Sequence, residues 1–326
     1  MKAIEYNRYG GPEVLQLKEV EKPGPADNEV LIKIHATTVT ATECNFRRGE
    51  PLMARMFTGM LKPRLTRLGE EMAGEVVEVG KAVTRFKPGN KVFGTAGPGF
   101  GANAEFISLP EDGVITALPE NISYSEAAAS VDGFLTAMPF LRDTGRIKRG
   151  HKVLINGASG SVGTAAVQVA RYFGAEVTGV CSHGNMELVR SLGATRVIDY
   201  TREDFTKGNE TYDLVFDTVG KIAYKDAKRV LKKNGTFLEA GIGFGIIPHV
   251  LWSSLFTRQK ARIAATGLRS PREKEQDLNL LKNLMEEEII KPVIDRSYPL
   301  SDIVEAHRYV DTGRKRGNVV VELSNC

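Results

Sequence analysis

Three glycines stand three residues apart in the stretch INGASGSVG, at Gly157, Gly160 and Gly163. An apolar run at residues 153–155 precedes them, and apolar residues at helical spacing follow, which predicts a strand, a tight turn and a helix. In that setting the bare main chain lets N–H groups approach a pyrophosphate, and the positive end of the helix stabilises its charge. An ordinary glycine turn is the alternative. The flanking strand and helix favour a dinucleotide site, with contacts from Gly157, Ala158, Ser159, Gly160, Ser161, Val162 and Gly163.

The end of the second predicted strand indicates which dinucleotide binds. An acid there would bind the ribose 2′-hydroxyl of NAD, but this strand ends at Cys181 and is followed by SHGN, which contains no acid. A 2′-phosphate therefore meets no carboxylate, and Ser182 and Asn185 are able to donate hydrogen bonds to it. Tyr200, at the end of the third strand, adds a hydroxyl or an adenine contact. The sequence thus predicts NADPH as the cofactor.

The chain is expected to form two domains, because 326 residues exceed what a single core usually covers. Residues 1–122 contain short β-branched strands broken by glycine and proline, which is typical of a barrel-like antiparallel domain. Residues 123–267 alternate buried strands with amphipathic helices, which predicts a doubly wound parallel sheet. Residues 268–326 break this pattern and are expected to return to the first domain. The predicted fold class is α/β.

Three local features are also predicted within the second domain. A helix is expected to begin at Ser123, because SYSEAAASV offers serine caps, an early acid and an alanine run. A second helix is expected over KIAYKDAKRVLKK, residues 221–233, and a sixth strand in ARIAATG, residues 261–267.

Composition excludes several classes of protein. The formal charge is +4, and 44 lysines and arginines are interspersed with 40 acids, without the dense basic stripe of a nucleic-acid binder. The chain has three cysteines, Cys44, Cys181 and Cys326, and no two of them have the C-x-x-C spacing. This excludes a disulfide scaffold and suits a reducing compartment. No signal-peptide core or bilayer-length apolar stretch is present. We expect a cytoplasmic protein with a small-molecule partner, and no nucleic-acid or membrane partner.

Longer runs of the sequence resemble one enzyme family. They are GEEMAGEVVEVG, RFKPGNKVFG, the stretch from LINGASGSVG to GVCS, LGATRVIDYTRED, YDLVFDTVG and the closing YPLSDIVEAHRYVDTGRKRGNVVVEL. In this order, over nearly the whole chain, they resemble the medium-chain dehydrogenase/reductase superfamily in its zinc-free, zeta-crystallin-like quinone oxidoreductase branch. The resemblance implies a GroES-like catalytic domain around an inserted Rossmann domain, a cofactor in the cleft between them, and a homodimer.

The resemblance also aligns the zinc ligands of the superfamily's alcohol dehydrogenases with Thr40, Glu70 and Asp132. These side chains lack the thiolate and imidazole that zinc prefers, so we expect no metal, with a weakly held divalent ion as the alternative. Without zinc to polarise a carbonyl, hydride transfer suits acceptors that delocalise charge, such as quinones and α,β-unsaturated carbonyls. Two other functions stay open: a metal-free alcohol or aldehyde oxidoreductase, and a cofactor-binding sensor or structural protein with little turnover.

Further site residues are implied by the resemblance. Thr42, Glu43 and Asn45 are the candidate catalytic residues, on a predicted loop that the family brings to the nicotinamide ribose. Thr40 and Glu43 stand where many relatives have Asn and Asp, which weakens any residue-specific role. Thr136 is expected behind the nicotinamide, with a hydroxyl bonded back to its own helix as the alternative.

The remaining candidates are main-chain or packing positions. Gly241 and Gly243 are expected to offer backbone hydrogen bonds to the carboxamide, or to form a bare turn, and Asn318 stands where the family often has a lysine near the phosphates. Trp252 and Phe256 are expected either to line an apolar substrate pocket or to be buried by packing. Residues 46–67 are expected to form a loop beside the substrate entrance. His307 lies at core-facing helical spacing and is expected to be packed rather than catalytic.

Overall fold

The computed structural model describes residues 1–52, 55–241 and 244–323. Its strands, in chain order, are β1 (Lys2–Glu5), β2 (Gln16–Glu19), β3 (Glu29–Val39), β4 (Glu71–Val79), β5 (Lys91–Thr95), β6 (Phe106–Pro110), β7 (Ile115–Ala117), β8 (Lys152–Asn156), β9 (Glu176–Cys181), β10 (Arg196–Asp199), β11 (Tyr212–Asp217), β12 (Leu231–Glu239), β13 (Lys260–Arg262), β14 (Ile294–Pro299) and β15 (Asn318–Glu322). Its helices are α1 (Ala41–Arg48), α2 (Arg55–Thr58), α3 (Tyr124–Pro139), α4 (Ser161–Tyr172), α5 (Met186–Ser191), α6 (Tyr224–Val230), α7 (Ile247–Phe256), α8 (Pro271–Glu286) and α9 (Ile303–Asp311).

The chain divides into two compact units. One contains Met1–Val131, Arg269–Glu288 and the chain from Pro292 onward, and the other contains Asp132–Leu268 with Ile289–Lys291. The first division therefore lies inside α3, whereas the sequence predicts it at residue 122. The domain boundaries at residues 122 and 267 stay predictions.

The first unit is built on antiparallel pairing. Within the described residues, its larger sheet has the order β14-β15-β3-β4-β5-β7, with β6 added to β3, and β1 pairs with β2 separately. Alternate residues of β3, Val30, Ile32 and Ile34, enter a core that also contains Val76 of β4 and Ile303 of α9. This sheet and its covering helix hold α1, which follows β3 directly.

The second unit contains a parallel sheet, which confirms the predicted α/β class. Among the described residues its order is β10-β9-β8-β11-β12-β13. The chain moves outward from β8 through β9 to β10 and then returns to the other side of β8 as β11. Open parallel sheets bind ligands beyond the carboxyl ends of the strands at such a reversal. The fold therefore points to the ends of β8 and β11.

The local predictions for residues 123–267 have mixed outcomes. The predicted helix begins at Tyr124, and Ser123 caps it, because the Glu126 N–H donates to Ser123 Oγ and the Ser123 N–H donates to the Glu126 carboxylate. The sixth strand is present as β13, although it is shorter than expected. The helix predicted over residues 221–233 is wrong in extent. It ends at Val230, because Leu231 is buried beside Tyr212 and starts β12.

None of the helices in the described ranges is both long and apolar enough to cross a bilayer.

Candidate functional site

The glycine loop lies between Asn156, which ends β8, and Ser161, which begins α4. Gly157 adopts a left-handed conformation, with φ of 76°, that side chains disfavour. A Cβ on Gly163 would lie 2.0 Å from the carbonyl oxygen of Gly157, so α4 packs on the loop only because Gly163 has no side chain. A Cβ on Gly160 would meet nothing closer than that oxygen, at 3.5 Å. The fold itself thus requires glycine at 157 and 163, whereas the bare backbone at 160 suits the approach of a ligand.

The start of α4 has the groups needed to bind an anion. Gly160 is the N-cap and supplies no side chain, so the first-turn N–H groups of this 12-residue helix have no side-chain cap. The hydroxyl of Ser161 is buried and has no hydrogen-bond partner within the described part of the chain. Main-chain donors, a hydroxyl and the positive helix end together match a pyrophosphate. These residues therefore fit a dinucleotide.

The residues predicted to surround the adenosine end are brought together in part. Asn185 Nδ2 donates to Ser159 Oγ at 3.0 Å and to Ser182 Oγ at 3.3 Å, so one amide joins the glycine loop to the loop after β9. Tyr200 follows β10, its N–H donates to the carbonyl of Cys181, and its side chain is 60% exposed. Its ring is thus accessible beside the loop after β9.

Sequence reasoning missed a charged group next to this loop. Parallel pairing places Asp199 of β10 opposite Cys181, and its carboxylate lies 3.6 Å from both His183 Nδ1 and Arg202 Nε. The Thr201 hydroxyl, followed by the Thr201 N–H and these cations, holds the pKa of Asp199 below its usual value. His183 and Arg202 are both largely exposed and are further candidates for a 2′-phosphate. Strand register, which the sequence alone does not give, makes them neighbours.

Asp217, at the end of β11, organises the loop beyond the neighbouring strand. Its carboxylate is fully buried and accepts from Asn156 Nδ2 and from the N–H groups of Val219, Gly220 and Ile222, at 2.8–3.1 Å. Such a carboxylate fixes the main chain beside the glycine loop. From the sequence, the run YDLVFDTVG predicts only a strand and not this role of Asp217.

The structure describes two of the three residues predicted to contact the nicotinamide. A Cβ on Gly241 would lie 2.9 Å from Gly220 Cα, so the loops after β12 and β11 approach closely at two glycines. Thr136 Oγ1 is 3.5 Å from the Asp132 carboxylate one turn earlier on α3, so the hydroxyl pairs with a side chain rather than with a helix carbonyl. Gly243 lies outside the described residues.

The other predicted site belongs to the first unit, and its predicted loop is wrong. Residues 41–48 form α1, and Thr40 caps it by accepting the Glu43 N–H at 3.0 Å. Thr40-x-x-Glu43 is the sequence of a capping box, so the signal for a helix was present. Thr42 and Asn45 are partly buried on this helix, and Asn45 Oδ1 accepts from Arg48 at 2.5 Å.

Glu43 and Asn318 each make polar contacts within the same unit. Glu43 is 1% exposed, and its Oε1 accepts from Asn103 Nδ2 at 2.5 Å and lies 3.5 Å from His307 Nε2. The N–H and the amide of Asn318 both donate to the carbonyl of Val293. The roles of Thr42, Glu43, Asn45 and Asn318 stay predictions, and the contacts of Glu43 favour a role inside the unit.

The positions aligned with zinc ligands do not fit zinc. The Thr40 hydroxyl is neutral and used as a helix cap, and Glu70 accepts a hydrogen bond from Thr95 Oγ1 at 3.4 Å. Neither residue supplies the thiolate or imidazole that zinc prefers. Within the ranges that the structure describes, no three His, Cys, Asp or Glu side chains are grouped to hold a metal ion.

Comparison with known proteins identifies relatives over the whole length. Residues 26–120 match the alcohol dehydrogenase GroES-like domain, and residues 192–321 match the zinc-binding dehydrogenase domain. The chain is 33% identical to 2-methylene-furan-3-one reductase of Solanum lycopersicum, over 98% of this chain and 79% of that protein. It is 32% identical to the chloroplast envelope quinone oxidoreductase homolog of Arabidopsis thaliana, over 99% and 98%. The crystal structure of Escherichia coli quinone oxidoreductase complexed with NADPH is similar with a TM-score of 0.84 and 26% identity, covering 99% of this chain and 100% of that one.

Gly160→Asp tests the glycine loop. We expect this variant to lose NADPH binding, because a carboxylate would stand where phosphate approaches, and to unfold at the same temperature as the unaltered protein, because open space surrounds the position. Titration calorimetry and thermal unfolding measure the two effects. Gly24→Asp, also in open space but in the first unit, is the matched control and should retain binding. Normal NADPH affinity in Gly160→Asp would contradict the assignment.

Glu239, at the end of β12, gives the site edge a pH dependence. Burial, followed by repulsion from Asp217, raises the pKa of Glu239. Ionisation therefore destabilises the folded state, so stability from this group is present below its unfolded pKa and is lost as pH rises through the folded pKa. We expect Glu239→Gln to raise the melting temperature at about pH 7.5 and to have no effect near about pH 4. Melting curves at both pH values measure this.

A carboxylate with the opposite shift is the control for Glu239. Hydrogen bonds from the N–H groups of Arg85 and Thr84 lower the pKa of Glu111. Its contribution is therefore present above its unfolded pKa, and Glu111→Gln should lower the melting temperature at neutral pH. Shifts of the same sign in both variants would refute the argument.

Proposed function

Because this chain belongs to the quinone oxidoreductase branch of the medium-chain dehydrogenase/reductase superfamily, we propose that it reduces quinones or α,β-unsaturated carbonyls with NADPH. The observation that carries the proposal is the open backbone at Gly160 beside the unpartnered Ser161 hydroxyl, at the reversal point of the parallel sheet. A bare backbone with main-chain and hydroxyl donors suits a pyrophosphate, and the relatives named above reduce a quinone or an enone.

Different residues bind different parts of the cofactor. The first-turn N–H groups of α4 and the Ser161 hydroxyl bind the pyrophosphate, while Ser182, Asn185 and Arg202 bind the 2′-phosphate. Bound NADPH supplies the hydride. Asp217 keeps the loop beside the glycines fixed, so that the binding surface is formed before the cofactor arrives.

The choice of acceptor follows from the residues at the positions aligned with zinc ligands. The Thr40 hydroxyl and the carboxylates at the aligned positions suit neither zinc nor its role in polarising a simple carbonyl. Quinones and enones spread the incoming charge over their own conjugated atoms, so orientation and exclusion of water suffice. We propose that Thr42 and Asn45, on α1, contact the nicotinamide ribose or the acceptor.

Turnover with purified protein tests this function. We expect NADPH to be oxidised when a quinone or an enone is present, faster than NADH, and not with simple alcohols or aldehydes as substrates. Absorbance of the reduced nicotinamide measures the rate, and a chelator should leave it unchanged. Preference for alcohols would favour a metal-free alcohol oxidoreductase. NADPH binding without consumption by any acceptor would favour a sensor or structural role.

The state of the cysteines bears on the compartment in which the protein acts. Cys44 and Cys181 are free and buried, and burial followed by Asp199 raises the pKa of the Cys181 thiol to about 11, as suits unreactive thiols in a reducing compartment. We propose the cytoplasm as that compartment. The chloroplast envelope name of one relative leaves other reducing compartments as outcomes of a localisation experiment.

We further propose that two copies associate through α7. Among the described residues β13 is the last strand on its side of the sheet, and α7 covers its outer edge at Ala261, so α7 presents the outer surface there. α7 packs beside β13, because Ser253 Oγ accepts from the Ala261 N–H at 2.9 Å. The burial expected for Trp252 and Phe256 is wrong: both are more than half exposed, with rings 4.5 Å apart.

The exposed face of α7 suits a second copy rather than water. Leu251, Trp252, Leu255 and Phe256 are between 58% and 76% exposed on adjacent turns. A contiguous apolar surface of this kind usually marks an interface. A two-fold axis beside α7 would bring the two exposed α7 faces together.

Leu255→Glu tests this interface. We expect the mass measured by light scattering after size exclusion to fall from twice the 35.7 kDa chain mass to a single chain mass, because a charge would be buried between the copies. Leu61→Glu, at a position 96% exposed in the other unit, is the matched control and should remain a dimer. A monomeric unaltered protein, or a dimeric Leu255→Glu variant, would refute the proposal.

A further inference from the structure

The face of α1 that points into the first unit is polar although it is buried. Glu43 and Arg47, one turn apart, are at most 1% exposed, and Asn103 and His307 beside them are fully buried. Tyr6 is 2% exposed and belongs to the same buried core as Cys44, and burial, followed by the charges of Tyr9 and Glu43, raises its pKa. We call Tyr6, Glu43, Cys44, Arg47, Asn103 and His307 the α1 polar cluster.

Contacts within the protein satisfy only part of this cluster. Asn103 Nδ2 donates to Glu43 Oε1, Arg47 Nη2 donates to Asp311 Oδ2, and the Cys44 Sγ is 3.3 Å from His307 Nδ1. The Glu43 carboxylate 3.5 Å from His307 Nε2 favours the tautomer with its proton on Nε2, so that Nδ1 accepts from the Cys44 thiol. The Cys44 thiol therefore fixes Nδ1, whereas Nε2 faces the Glu43 carboxylate without a hydrogen bond to it.

Six other polar atoms of the cluster have no protein partner within the described residues. They are Tyr6 Oη, Glu43 Oε2, Arg47 Nε, Arg47 Nη1, Asn103 Oδ1 and His307 Nε2. Only three further side-chain atoms of this kind occur in the described ranges, and they belong to His151, Ser161 and Asp199. A buried polar atom without a partner typically costs about 1–3 kcal/mol, so six in one place indicate a missing partner.

The chemistry of the six atoms identifies that partner. Glu43 Oε2 and Asn103 Oδ1 need donors, because the Asn103 amide must turn its NH₂ toward the Glu43 carboxylate. The free N–H groups of Arg47 and His307 need acceptors. A cation would face the Arg47 charge, and an anion would face the Glu43 carboxylate. A neutral molecule that both donates and accepts suits both kinds of atom, and water is the smallest such molecule.

We propose that the α1 polar cluster binds internal water, which bridges the Glu43 carboxylate to the Arg47 guanidinium. The helix that carries Thr42 and Asn45 then rests on hydrated polar groups instead of a dry apolar core. This inference does not depend on NADPH, because every residue of the cluster belongs to the first unit. Failure of the proposed function would leave it intact.

A crystal structure of the unaltered protein tests the proposal directly. We expect density for at least one water within hydrogen-bond distance of two or more of the six atoms, at about 2.7–3.2 Å. Direct pairing of the same atoms, such as Tyr6 Oη on Glu43 Oε2 with no water between side chains, would overturn the proposal.

A pair of variants at Asn103 tests it in solution by urea unfolding. In a hydrated cluster, Asn103→Ala leaves room for another water to donate to Glu43, whereas Asn103→Leu fills that room and leaves the carboxylate without a donor. We therefore expect a higher urea midpoint for Asn103→Ala than for Asn103→Leu. In a dry cluster the order reverses, because the smaller side chain also leaves a cavity.

An apolar position in the same unit shows how the urea midpoint changes when a side chain in a dry core is shortened. Leu278 is fully buried in α8, and shortening it by Leu278→Ala should lower the midpoint as in any dry core. An Asn103→Ala midpoint equal to or below that of Asn103→Leu would refute the hydrated cluster. If neither Asn103 variant folds, the crystal structure of the unaltered protein decides between a hydrated and a dry cluster.

Discussion

The close packing of α4 on the glycine loop is the constraint on which the second unit depends. The carbonyl of Gly157 lies where a side chain on Gly163 would stand, so the strand, the turn and the helix fit only in this arrangement. That contact directs the N–H groups of the first turn of α4 beyond the end of β8, where the chain reverses direction across the sheet. A single steric requirement thus produces both a folded unit and an anion site.

The second unit could be predicted from sequence further than the first. Periodicity and glycine spacing are local signals, and they predict the parallel sheet and the glycine loop of this unit. Its missed features are nonlocal. Asp199 and Arg202 stand beside the loop after β9 only because β10 pairs in register with β9. The early end of α6 has the same origin, because pairing with β11 draws Leu231 into the sheet.

In the first unit the start of α1 has a local signal. Thr40 and Glu43 have the spacing of a capping box, which predicts a helix rather than the loop that the resemblance implies. The inward direction of Glu43 could not be predicted, because Asn103 and His307 come from distant parts of the chain. The resemblance implied a residue near the nicotinamide ribose, whereas burial and hydrogen bonding place that carboxylate inside the first unit.

The two units use buried polar groups in different ways. In the second unit the Asp217 carboxylate receives four donors from the protein, and the unpartnered hydroxyl of Ser161 remains at the start of α4, where a ligand supplies the partner. In the first unit the unpartnered atoms are of both kinds, donors and acceptors, and they are enclosed. A charged ligand satisfies a set of donors, but only a neutral molecule that donates and accepts satisfies a mixed set. The composition of each set, more than its burial, therefore distinguishes a cofactor site from a hydrated support for α1.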